Sequence, residues 1–140
     1  MAKSRRCCSI GPRGTIAPVA TDTSGKFRFK LNKDGTKADI ALSVNDGVRI
    51  QQAHLHCALA GVNGPIVVFL AGLNAAGYNV DGKWISNVTL TDSSISNNLC
   101  GDTLSNLASF MRAGMVYVNV HSVANPGGHI RGQVEPSKDD

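Results

Sequence analysis

Apolar and polar residues alternate with a period of two along most of the chain, and turn-forming residues interrupt the alternation at short intervals. The clearest stretch is 50–70, I-Q-Q-A-H-L-H-C-A-L-A-G-V-N-G-P-I-V-V-F-L. Ala53, Leu55 and Cys57 fall on one side of an extended backbone and His54 and His56 on the other, which predicts a strand with one buried face. Gly61-Val62-Asn63-Gly64-Pro65 then turns the chain, because Asn and Gly accept positive φ and Pro fixes the restart. An almost wholly apolar strand over 66–70 completes a hairpin that carries a His-x-His pair and a cysteine.

The same rule reads the rest. Residues 15–20 predict an edge strand interrupted by Pro18. Phe27, Phe29 and Leu31 alternate with Lys26, Arg28 and Lys30, and Asp34-Gly35 marks a hairpin turn. Ala38, Ile40, Leu42 and Val44 form the dry side of the next strand, and Asn45-Asp46-Gly47 predicts another turn. Residues 72–83 are rich in Gly and Asn and predict a long surface loop. Trp84, Ser86, Val88 and Leu90 share one face of a further strand. From Thr103 the period changes: Leu104, Leu107 and Met111 are spaced as on one face of a helix, with Phe110 beside them. Asp102 or Thr103 suits its start and Gly114 its end. Val116, Val118 and Val120 then alternate with Tyr117, Asn119 and His121, and Ile130 and Val134 with His129, Arg131, Gln133 and Glu135. The expected core holds Phe27, Phe29, Ile40, Leu42, Leu55, Val67, Trp84, Val118, Val120 and Ile130, with Leu104 and Leu107 packing the helix onto it. Seven short strands beside that edge strand, with one helix, describe an all-β protein, an antiparallel sandwich or flattened barrel.

Composition adds an asymmetry. The chain of 140 residues is long enough for one domain with a sizeable core. Lys3, Arg5, Arg6 and Arg13 account for the whole net charge of +4, so the body is neutral and the N-terminal arm is basic. The arm has no aromatic residues with which to stack bases, so no nucleic-acid partner is expected. No apolar run approaches the roughly 18 residues of a membrane helix, and no apolar core of a signal peptide follows Met1. The expected organisation is an arm over 1–13, a β-sandwich over 14–136 and a tail over 137–140. The expected location is extracellular or on a cell or spore surface, without a recognisable signal peptide.

The chemistry-bearing residues are histidines and cysteines. His54 and His56 share a strand face, and His121 and His129 end neighbouring strands with the parity opposite to the valines. A symmetric hairpin sets Val120 against Ile130 and both imidazoles on one face. Imidazole is the commonest ligand of zinc and copper, so His54, His56, His121 and His129 form a candidate site for either metal. The alternative is that each histidine caps a strand end or binds loop backbone. A bridge between Cys57 and Cys100 would close a loop of about 44 residues and stabilise by roughly 4 kcal/mol. Cys7 and Cys8 are adjacent and too strained to bond each other, so they need two partners, inside or outside the chain. The segment 77–84 imitates a phosphate-binding loop, but Trp84 stands where Ser or Thr must reach magnesium and a strand follows. The sequon Asn87-Val88-Thr89 falls on a strand and reads as accidental. No Ser/His/Asp arrangement and no spaced carboxylate pair is assignable, and the expectation is a protein without catalysis.

Three segments carry a resemblance: A-H-L-H-C, G-V-N-G-P-I-V-V-F-L, and M-R-A-G followed by V-Y-V-N-V-H-S-V-A-N-P-G-G-H-I-R-G-Q-V. Through them the chain closely resembles the CHRD family, the domains first noticed in chordin, which also occur as stand-alone bacterial proteins. The resemblance runs from about residue 14 to residue 134. It implies an immunoglobulin-like β-sandwich, similar in architecture to copper/zinc superoxide dismutase, and no particular activity. The family usually has Glu where this sequence has His129. The Cys-Cys arm is also similar in pattern to subunits of bacterial endospore appendages, in which an arm reaches into a neighbour and is locked by disulfides. That similarity implies a structural subunit of a surface assembly, a homo-oligomer or filament linked through Cys7 and Cys8. The alternatives are a copper- or zinc-binding module and a monomeric adhesive or ligand-binding domain.

Overall fold

The computed structural model describes residues 4–12, by their backbone, and 20–136. Among them are eight antiparallel strands: β1 (Ser4–Pro12), β2 (Ser24–Leu31), β3 (Lys37–Cys57), β4 (Ile66–Ala71), β5 (Tyr78–Thr91), β6 (Val116–Ser122), β7 (Ile130–Gln133) and β8 (Glu135–Pro136). One α-helix, α1 (Leu104–Arg112), precedes β6. Hydrogen-bonded neighbours run β2–β1–β7–β6–β3–β4, with β5 added to β3 and β8 to β1. Because β2 also pairs with β3, the path through β1, β2, β3, β6 and β7 returns to β1, and the sheet closes on itself. The expected all-β class with one short helix is therefore the class observed.

β3 organises the molecule. Its first half pairs with β2 and β5, and its second half with β6 and β4. The turn expected at Asn45-Asp46-Gly47 does not end a strand, because its special backbone is spent on bulges within this one. Asp46 and Arg49 take φ of 54° and 49°, and the register against β5 shifts on both sides of Gly47. Asp81 Oδ1 and Asn79 Oδ1 accept the N–H groups of Asp46 and Arg49, which keeps the bulged backbone satisfied. The long loop expected over 72–83 is shorter, since β5 begins at Tyr78. A second bulge, at Asn87 with φ 56°, pairs Val88 with Ile40 but Ile85 with Leu42. Hence Ile85, and not Trp84 or Ser86, joins Leu90 in the core, and Trp84 is only half-buried.

The other expected core residues are buried. Leu104, Leu107, Ala108 and Met111 turn the inner face of α1 onto them. Thr103 caps the helix by accepting the Asn106 N–H, and Gly114 ends it with φ 77°. Residues 4–12, expected as an arm without periodicity, form β1 along β2 and reach β7 at Gly11 and Pro12. The edge strand expected over 15–20 falls, but for Ala20, outside the described residues, as does the tail.

The largest departure concerns the faces expected to be wet. Every residue over 53–57 and throughout β6 is buried, on both sides of the sheet. One side is the apolar core. The other is roofed by the loops 58–65 and 123–129, whose carbonyls reach down to the polar side chains beneath.

Candidate metal centre

The site follows from the register of β3 on β6, which pairs Gln52 with His121, His54 with Asn119 and His56 with Tyr117. Residues opposite each other share a face, as do residues two apart, so His54, His56 and His121 lie together, with His121 diagonal to His54. Ring centroids are 4.9 Å apart for His54 and His121, 5.7 Å for His54 and His56, and 6.2 Å for His56 and His121. One nitrogen of each lies within 4.8 Å of the others. Exposure is 2 % for His54, 8 % for His56 and 7 % for His121.

Backbone acceptors set the tautomers. His56 Nδ1 donates to the Gly64 carbonyl and His121 Nδ1 to the Pro126 carbonyl, each over 2.8 Å. Each bond places the proton on Nδ1 and leaves the Nε2 lone pair facing the group. The His121 Nε2 lone pair accepts the Nδ1–H of His54 over 3.1 Å, which leaves the His54 lone pair on Nε2. His54 Nε2 and His56 Nε2 are buried without a hydrogen-bond partner. An orphaned buried polar atom of this kind costs about 1–3 kcal/mol, so two on neighbouring rings call for a partner.

The surroundings keep the His54 and His56 rings neutral. Burial pushes the pKa of His54 down to about 4, and His121 and His56 push in the same direction. Burial also lowers the His56 pKa, against the opposing effect of its bond to Gly64 and with help from His121 and Arg131. Neutral imidazole is the form that binds metals. Phe69 of β4 meets His54 edge-on at 5.0 Å, and Tyr117 stacks on His56 at 4.8 Å and 10°. Arg131 lies over Tyr117, 3.4 Å from the ring centre.

His129 stands outside this group. Its Nδ1 lies 2.8 Å from Asn125 Nδ2 and 2.9 Å from Ser122 Oγ, and its Nε2 lies 2.8 Å from Thr21 Oγ1 and 3.2 Å from Thr23 Oγ1. The Asn125 amide donates to Nδ1, and the Thr23 hydroxyl gives its hydrogen to the Asp46 carbonyl, so Nε2 carries the proton. His129 thus adopts the opposite tautomer from His56 and His121: its lone pair is already used by Asn125, and its N–H ties the start of β7 to the segment before β2. Cys57 and Cys100 are bonded to each other, with their Cα atoms 5.8 Å apart. The side chains of Cys7 and Cys8 lie outside the described residues; their backbones pair with Arg28 and Phe27.

Sequence reasoning named the three histidines but missed the groups that hold them: Gly64, Pro126, Tyr117 and Arg131. Tyr117 has the parity of His121, which was a usable signal. The carbonyls have none.

The CHRD domain family matches residues 11–134, nearly the whole chain. The chain belongs to the CHRD family. No curated protein and no solved structure matches it. All three grouped histidines, the disulfide and both roofing loops lie inside the CHRD match, whereas most of β1 precedes it. CHRD membership together with the disulfide points to a small extracellular module. Among the described residues, no helix is long and apolar enough to cross a membrane.

Proposed function

We propose that this CHRD domain is a non-catalytic extracellular module that binds a transition metal, copper or zinc, through His54, His56 and His121. The observation that carries the reading is the convergence of three buried imidazoles, two with orphaned Nε2 atoms. A merely structural histidine resembles His129, with both nitrogens engaged, whereas His54 and His56 each leave Nε2 without a hydrogen-bond partner. Metal-free protein, titrated calorimetrically with copper or zinc at pH 7.5, takes up about one ion per chain, and His54→Gln with His121→Gln lowers affinity by about 100-fold or more. Absence of uptake by the wild type overturns the reading.

A second reading is a self-assembling surface subunit cross-linked through Cys7 and Cys8. It is favoured by β1, most of which precedes the CHRD match and which supplies the pairing that closes the sheet. That is the place an arm from a second copy would take. Oxidised wild type then runs as a ladder on non-reducing gels, and Cys7→Ser with Cys8→Ser abolishes it. A single band at 14.7 kDa from oxidised wild type overturns it.

A further inference from the structure

We infer that the histidine site takes copper as the monovalent cuprous ion in preference to zinc or cupric copper. The inference rests on the metal-binding reading above and concerns the charge that the site tolerates. The group consists of three imidazoles, with no carboxylate or thiolate among the described residues that join it. The cysteine next to His56 is committed to the disulfide. The partners that orient the ligands are also neutral: the Gly64 and Pro126 carbonyls stand where a carboxylate would make an imidazole more basic. These groups therefore bring no negative charge to offset that of a bound ion.

That charge sits in a buried place beside another cation. Arg131 is 7 % exposed, and its hydrogen bonds go to Asn63 Oδ1, the Leu59 and Val62 carbonyls and Gln133 Oε1, all neutral. Only the Tyr117 ring separates its guanidinium from the His56 ring, since Tyr117 stacks on both. Repulsion from Arg131 doubles when the ion is divalent. The desolvation cost rises with the square of the charge, so it is about four times larger for a divalent ion than for a monovalent one. Coordination number points the same way. Zinc sites are almost always four-coordinate and cupric sites tetragonal, so both need ligands beyond these three. A cuprous ion, with a filled d shell, is satisfied by two or three nitrogens in a dry site.

The test is a set of anaerobic competition titrations on the full chain, with its disulfide intact. Cuprous ion is titrated against a chromophoric cuprous chelator, and zinc and cupric ion against their own. X-ray absorption at the copper edge then reads the oxidation state and coordination of the loaded protein. The expected result is one cuprous ion per chain, bound about 100-fold or more tightly than zinc, with two or three nitrogen neighbours and a reduction potential above that of the free ion. Arg131→Gln should narrow the cuprous preference over zinc, provided its circular dichroism matches the wild type. Zinc or cupric ion binding as tightly as cuprous ion overturns the inference while leaving the metal-site reading standing. Failure of all three ions to bind overturns both.

Discussion

His54 is the residue on which environment acts most strongly. In the unfolded chain its imidazole titrates near the ordinary 6.5, whereas in the folded protein burial holds it down to about 4. Between these values the unfolded chain binds more protons than the folded one, so the stability of metal-free protein rises with pH across that window. The contribution is complete above pH 6.5 and is lost as pH falls toward 4, and the lowered values of His56 and His129 act in the same direction. Urea unfolding at pH 7.5 and at pH 5 should show the loss, and His54→Gln should flatten the difference between them. Equal stability of the wild type at both values contradicts the burial argument. His129 shows why four histidines of favourable parity do not make a four-ligand site. Its neighbours Thr21, Thr23, Ser122 and Asn125 are small polar residues scattered along the sequence, and only the fold shows that they converge on one ring.

At the scale of elements, period-two alternation marked β2 to β7 well because each of them turns side chains into a single apolar core. It failed on the other face of β3 and β6, since alternation separates polar from apolar side chains without saying whether a loop covers the polar ones. Turn signals misled for a related reason. Asp46, Arg49 and Asn87 take the positive φ that turns use, but they do so in bulges, which keep the strand going and shift its register. The loop 58–65 is where element and site meet. Gly64 packs so closely on the Cys57 carbonyl that a Cβ there has no room. Gly64→Ala should therefore lift the loop, remove the acceptor that orients His56 and weaken metal affinity by about 10–100-fold. The comparison to make is metal titration of Gly64→Ala beside Gly61→Ala, whose Cβ meets nothing within 4 Å but which carries its own strained φ of 80°. Unchanged affinity in Gly64→Ala would show that the Gly64 carbonyl does not matter to the ligand.

At the scale of the molecule, the Cys57–Cys100 bridge joins the end of β3, one residue past His56, to the turn that leads into α1. Both cysteines are buried, so replacing the pair by alanine leaves the unfolded chain freer and the core slightly underfilled. The expected cost is about 2–5 kcal/mol, read from the urea midpoint together with the slope, which rises as the unfolded chain loses its cross-link. A midpoint within error of the wild type would mean that the loop is held by packing alone. The single strand β3 carries two of the three grouped histidines and one end of that bridge, and it pairs along its length with β2, β5, β4 and β6. Four strands are then left incomplete until distant segments have found the same 21 residues. Chains built on such non-local pairing fold over milliseconds to seconds, and the three imidazoles come together only when that search ends.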